Sequence, residues 1–255
     1  MTAASAPARR RTHWWGLVAL VLVAALSPWP AGAGSAGVGP AAGEGTPYNG
    51  WHYARGGRAE PPPARAFVLP DGRTAHDSAF APFAAVQGVT VHHPARVVER
   101  IGLHQSNHEG ARDLDVAPTA AASIVLPSRG RLSGLRSAAD VVVAPGTQIR
   151  SPVTGTVVRA GSYVLYCTYA DDFVIIEPDG LPGWEVKVLH ITGVAVQPGD
   201  RLIGGLTVIA PQATQLPFRS QVDAHTASPS WPHTHIEVID PDVPDVPNPG
   251  SGSNC

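Results

Sequence analysis

Between Asp140 and Ile239 the chain never runs apolar for long before a turn signal cuts it. Ala144-Pro145-Gly146, Pro178-Asp179-Gly180, Leu181-Pro182-Gly183 and Gln197-Pro198-Gly199-Asp200 punctuate runs rich in Val, Ile, Leu and Tyr. Proline removes a helical donor and clashes with the preceding turn, and glycine disfavours a helix interior, so such spacing leaves room for strands only. The bias covers the whole chain: 27 glycines and 26 prolines in 255 residues, against a usual combined share of about 12%. The pattern predicts strands at Val141–Val143, Gln148–Arg150, Gly155–Ala160, Ser162–Tyr169, Phe173–Glu177, Glu185–Ile191, Arg201–Ile209 and His233–Ile239. An all-β fold follows, a small antiparallel β-barrel or sandwich preceded by a short β-containing N-terminal region.

Five segments are expected. Residues 1–33 read as an export signal: Arg9-Arg10-Arg11, an apolar stretch from Trp14 to Leu26, and a small-residue cleavage site at Ala31-Gly32-Ala33. That stretch is shorter than the roughly 20 residues of a membrane span, so no stable span is expected after processing. Residues 34–65 form a Gly/Pro-rich linker. Residues 66–130 hold strand-like runs (Ala66–Leu69, Val89–Val91, Val97–Leu103) of unknown role. Residues 131–240 form the main domain, and 241–255 a Pro/Gly-rich tail. The net charge of −2 and the scattered arginines argue against nucleic-acid binding. The two cysteines, Cys167 and Cys255, suit one disulfide in an exported chain.

The stretch Trp231-Pro232-His233-Thr234-His235-Ile236-Glu237-Val238 alternates like a strand, so His233 and His235 share a face. Two adjacent imidazoles can hold a metal, or one can hold it while the other moves a proton. Other candidates are weaker. His92 and His93 point apart in an extended chain, and His76-Asp77-Ser78 has triad residue types without triad geometry. His225 lies in a loop before the His-x-His strand. Trp184, Trp231 and Tyr163 suit either a groove or ordinary packing.

Four pieces in order resemble the LytM/lysostaphin-type zinc endopeptidases of bacterial cell walls. They are Asp140-Val-Val-Val-Ala-Pro-Gly-Thr followed by Pro152-Val-Thr-Gly-Thr-Val157; Val186-Lys-Val-Leu-His190-Ile191; Val196-Gln-Pro-Gly-Asp-Arg-Leu-Ile-Gly-Gly205; and Pro232-His-Thr-His-Ile-Glu-Val238. The resemblance covers about Arg136 to Asp240. It implies a duplicated-hybrid-motif barrel, Zn²⁺ held by Asp140 and His235, His190 and His233 as the catalytic pair, and peptidoglycan as substrate of a secreted, wall-associated hydrolase.

One ligand is missing. The family places a histidine four residues before the aspartate, and here that residue is Arg136, which has no lone pair to offer. Two outcomes are open. His104 and His108, at i, i+4 and on one helix face if that stretch is helical, would supply the ligand from outside the barrel, with Glu109, Asp113 or Asp115 orienting it. Otherwise Arg136 pairs with Asp140, and the domain is a metal-free module that binds cell wall or regulates a partner wall hydrolase. For the disulfide, thiol titration of the denatured, unreduced mature protein is expected to find no free thiol; two titratable thiols would rule the bridge out.

Overall fold

The computed structural model describes residues 63–245. The export signal, most of the linker, the end of the tail and Cys255 (the expected partner of Cys167) lie outside them. The first half contributes β1 (Arg65–Val68), β2 (Thr74–Asp77), β3 (Pro82–Val86), β4 (Val89–His92), β5 (Val97–His104), β6 (Asp115–Val116) and β7 (Ser123–Val125). There follow β8 (Ala138–Val143), β9 (Ile149–Arg150), β10 (Gly155–Leu165), β11 (Tyr169–Pro178) and β12 (Glu185–Thr192). The last are β13 (Arg201–Leu202), β14 (Val208–Ala210), β15 (Gln212–Ala213) and, after a single 3-10 turn at Val222–His225, β16 (His233–Ile239). Among the described residues no helix is long and apolar enough to cross a membrane.

The described residues are all-β as the turn spacing predicts, in sheets that do not close into a barrel. The main sheet has the order β1-β2-β5-β8-β16-β12-β11-β10-β13, an open path with β7 and β15 attached at its side. Two small sheets, β4-β3-β6 and β9-β14, complete the fold. The expected strand Arg201–Ile209 splits into β13 and β14. Residues 66–130 are no separate appendage: β5 pairs with β8 from Val98↔Val143 to His104↔Ala138, inside the main sheet.

Strand alternation divides the sheet into a dry face and a cleft face. Ile101, Leu103, Ala139, Val141, Val143, Val186, Val188, Ile236 and Val238 turn into one continuous apolar core with Phe83, Val91 and Ile149. The intervening residues of the same strands include Asp140, His233, His235 and Glu237, all buried. Gly102 stands directly across from Asp140. A Cβ there would lie 2.6 Å from Val222 Cγ2, so the glycine lets the 3-10 turn seat against the sheet.

Two buried polar groups pin loops to this frame. Arg73 pairs with Glu99, donates to the Pro229 carbonyl at 2.6 Å and stacks over Trp231, while Glu99 Oε1 accepts from the Ala227 amide. The loop entering β16 is therefore anchored on both sides. His93 is fully buried; its Nδ1 donates to the Ala81 carbonyl at 2.6 Å and its Nε2 accepts from the Ala121 amide at 3.1 Å. Both bonds require the neutral ring, and burial pushes its pKa down to about 4. The unfolded chain, with an ordinary histidine pKa near 6.5, takes up that proton first on acidification. Stability contributed by neutral His93 is present above about pH 6.5 and lost as pH falls toward about 4, up to about 3 kcal/mol. Urea denaturation across this window is expected to show a shallower pH dependence for His93→Gln than for the wild type; identical slopes would contradict the assignment.

Candidate metal centre

Register places the central residues in two rows across four strands. Gly102 (β5), Asp140 (β8), His235 (β16) and Leu189 (β12) form one row through successive antiparallel pairs. Two residues along lies the row His104, Ala138, Glu237 and Lys187. Residues two apart on a strand share a face, so His104 leans toward Asp140 from the neighbouring strand. Residues scattered from 104 to 237 in sequence thus converge on one patch.

His104, Asp140 and His235 each turn a ligand atom inward, all within 4.8 Å of one another. His104 Nε2 is 3.1 Å and His235 Nδ1 2.9 Å from Asp140 Oδ1. Zinc bonds of about 2 Å in a tetrahedron set neighbouring ligand atoms about 3.3 Å apart, close to both distances from Asp140, so the cluster is of a size for that ion. The tautomer of His104 strengthens the fit. Its Nδ1 faces the Gln105 carbonyl at 2.9 Å and must carry the proton. Nε2 is buried without a hydrogen bond, off line from the carboxylate it faces. With the ring neutral, that nitrogen would turn its lone pair toward the carboxylate, an arrangement that a cation between them would relieve.

The acidic groups are held ionised. Burial would raise the pKa of Asp140, but the imidazoles of His104, His233 and His235 packed around it hold it well below the usual carboxylate range. His235 lies between two carboxylates, with Glu237 Oε2 3.6 Å from its Nε2. Burial opposes its charge, but the bonds to Asp140 and Glu237 win and raise it to about 9. Glu237 is correspondingly lowered to about 2 against the cost of its burial, and accepts from Ser106 Oγ. A metal-bound imidazole has given up that proton, so ligation and protonation compete at His235.

Two further imidazoles adjoin the cluster. His190 and His233 have ring centroids 5.2 Å apart, and His190 lies 5.9 Å from His235. His190 occupies a β-bulge, where β12 slips register against β11 at Asp172/Phe173, with φ of +59°. Such a backbone is costly for a residue with a Cβ and needs support. Asp171 supplies it: Oδ2 accepts from His190 Nδ1 at 2.6 Å, from the His190 amide at 3.2 Å and from Tyr163 Oη at 2.6 Å. Thr214 Oγ1 donates to the other carboxylate oxygen. His190 is thereby fixed as the Nδ1–H tautomer with Nε2 free. Burial pushes His233 down to about 4 despite the nearby Asp140 charge, which keeps its ring neutral.

Of the residues singled out in the sequence, the structure brings together His104, Asp140, His190, His233 and His235. The 104–108 stretch is not helical, so His104 and His108 share no helix face; His104 closes β5 and reaches the cluster as a strand residue. His108 stays outside the ligand trio. Its Nδ1 bonds Asp245 and its Nε2 accepts from Lys187, which leaves no lone pair for a metal. Arg136 is exposed and makes no ion pair with Asp140; its amide donates to Asp113 Oδ1. His92 and His93 bind separate backbone carbonyls, Asp77 pairs with Arg96, and Trp184 and Trp231 each lie under an arginine. Asp171 and Glu237 were not singled out. The first is 19 residues from His190 in sequence with no motif linking them, whereas Glu237 sat in plain view at i+2 from His235.

The cluster opens on a cleft of about 380 Å³. One wall is the β10–β11 hairpin, whose Tyr166 and Tyr169 pack on Phe218. No family model matches the sequence, and no curated protein matches it. Among solved structures the chain is similar to a zinc-containing peptidase from Vibrio cholerae, at 18% identity over 68% of this chain and a TM-score of 0.32. The match spans 42% of that protein, and so loose an overlap carries no functional argument. Elemental analysis of the purified protein is expected to find one zinc per chain. His104→Ala, Asp140→Ala or His235→Ala should weaken binding by about 100-fold or more. His108→Ala and Arg136→Ala should leave it within about threefold; full zinc occupancy in His104→Ala would exclude the ligand set.

Proposed function

We propose that this chain is an exported zinc peptidase of the LytM type that hydrolyses peptide bonds in peptidoglycan. In this reading His104, Asp140 and His235 hold the ion, and His190 and His233 serve the reaction. The observation that carries it is the buried, unbonded Nε2 of His104, which restores a third donor to a motif whose own third position is Arg136. Support also comes from the ordered motifs around Asp140, His190 and His233–His235. Arg136 is exposed and does not neutralise Asp140, so the metal-free alternative would rest on a protonated His235 beside that carboxylate.

Bound zinc supplies a Lewis acid that polarises a carbonyl and acidifies water. The protein supplies the rest. Asp171 orients His190 so that its free Nε2 can take or return a proton at the reacting centre, as a carboxylate does for a general-base histidine elsewhere. Neutral His233, 5.2 Å from His190, can donate a hydrogen bond to developing negative charge on the carbonyl oxygen. Glu237 sits against the far nitrogen of His235 and fixes which of its nitrogens faces Asp140. Ser106, bonded to Glu237, holds that carboxylate in place.

The direct test is amine release from purified peptidoglycan. Release should stop with a chelator and return with added zinc. Asp171→Asn, which loosens His190 without touching a ligand, should lower kcat by about 100- to 10,000-fold while zinc content stays at one per chain. A zinc-replete wild type that releases no amines would refute the reading, as would undiminished activity in chelator.

A further inference from the structure

Three arginines line the cleft, Arg129, Arg131 and Arg219. Arg73, Arg96, Arg112, Arg159 and Arg201 each meet a carboxylate. The three cleft arginines form no ion pair among the described residues. The acidic groups of the cleft are already engaged, Asp140 with His104 and His235, Glu237 with His235 and Ser106. Unpaired guanidinium groups facing a cleft are set up for an anion from outside.

The loop that presents two of them is purpose-held. Gln105, buried and next to His104, accepts through Oε1 from Ser128 Oγ at 2.9 Å and the Arg129 amide at 2.8 Å. Its Nε2 donates to the Arg131 and Ser133 carbonyls. One guanidinium nitrogen of Arg131 donates to the Gln105 backbone carbonyl at 2.6 Å, the oxygen that also takes the His104 proton. Arg131 therefore stands one carbonyl away from the metal-facing ring, half-buried, with its other guanidinium donors unbonded among the described residues. Burial and the like charge of Arg129 both press on its charged form, a strain that a bound anion relieves.

We propose that Arg131, with Arg129 and Arg219, binds a free carboxylate of the substrate, so that the cleft selects peptides carrying an acid close to the bond presented to the metal. The inference rests on the reading of this cleft as the peptide-binding face. An arginine that instead stabilised the reacting oxyanion would act on every substrate alike, which separates the two roles.

The test compares one soluble cross-linked muropeptide with free carboxylates and the same fragment after carbodiimide amidation, by calorimetric titration into the full-length protein. Wild type should bind the free acid about 10- to 100-fold more tightly than the amide. Arg131→Gln should erase that preference and leave the affinity for the amide unchanged. Arg129→Gln, whose side chain makes no bond in the loop, should reduce the preference severalfold and serves as the control should Arg131→Gln disturb the loop. Equal binding of acid and amide by the wild type, or no binding of either, would overturn the proposal. So would equal losses for both ligands in the variants. Because the readout is binding, an acid preference in a protein that releases no amines from peptidoglycan would sink the peptidase reading while leaving the subsite standing.

Discussion

A carboxylate in the middle of a dry sheet is the constraint around which this molecule is arranged. Asp140 lies on β8 between β5 and β16, 5% exposed, where an uncompensated charge costs several kcal/mol. Each neighbour can be read as an answer to it. Gly102 opposite offers no side chain, His104 and His235 bring nitrogens from the flanking strands, and His233 stands 3.9 Å behind. The pressure then passes outward: His235 needs Glu237, and Glu237 needs Ser106. The other face of the same strands packs into a largely apolar core, which leaves the cleft face as the place for this network.

Much of this was legible in the sequence where the information is local. Turn residues at short intervals gave the strands, and β16 runs from His233 to Ile239 as its alternation indicates. Strand periodicity placed the two histidines on one face, and ordered motifs pointed to Asp140 and His190. What could not be read is set by pairing between distant segments. The turn spacing left barrel and sandwich open, and the sheet is open because closure depends on which edge strands meet, which local pattern does not encode. Residues 66–130 carried no motif, yet their strand β5 is the one that delivers His104.

Two placements bear on the missing donor. The spacing of four between His104 and His108 would give them one face only on a helix, whereas the strand ends at His104 and the chain turns away with His108. Arg136 stands where a single strand would carry the third donor. In a sheet, a position four residues earlier and a position on the neighbouring strand can reach the same space, so a ligand can change strands without leaving the site. Asp171 escaped notice for the same reason: β11 and β12 meet at the bulge that carries His190, and only their pairing makes the contact.

The placement of the trio bears on when a metal could be held there. His104, Asp140 and His235 belong to strands far apart in the chain, and they meet only after β5, β8 and β16 have all paired. Contacts of such sequence separation form late in folding. No hairpin or fragment offers the trio, so the unfolded chain has no comparable site, and any ion held there favours the assembled sheet alone. Any metal this trio holds would therefore be taken up only once the central strands have paired.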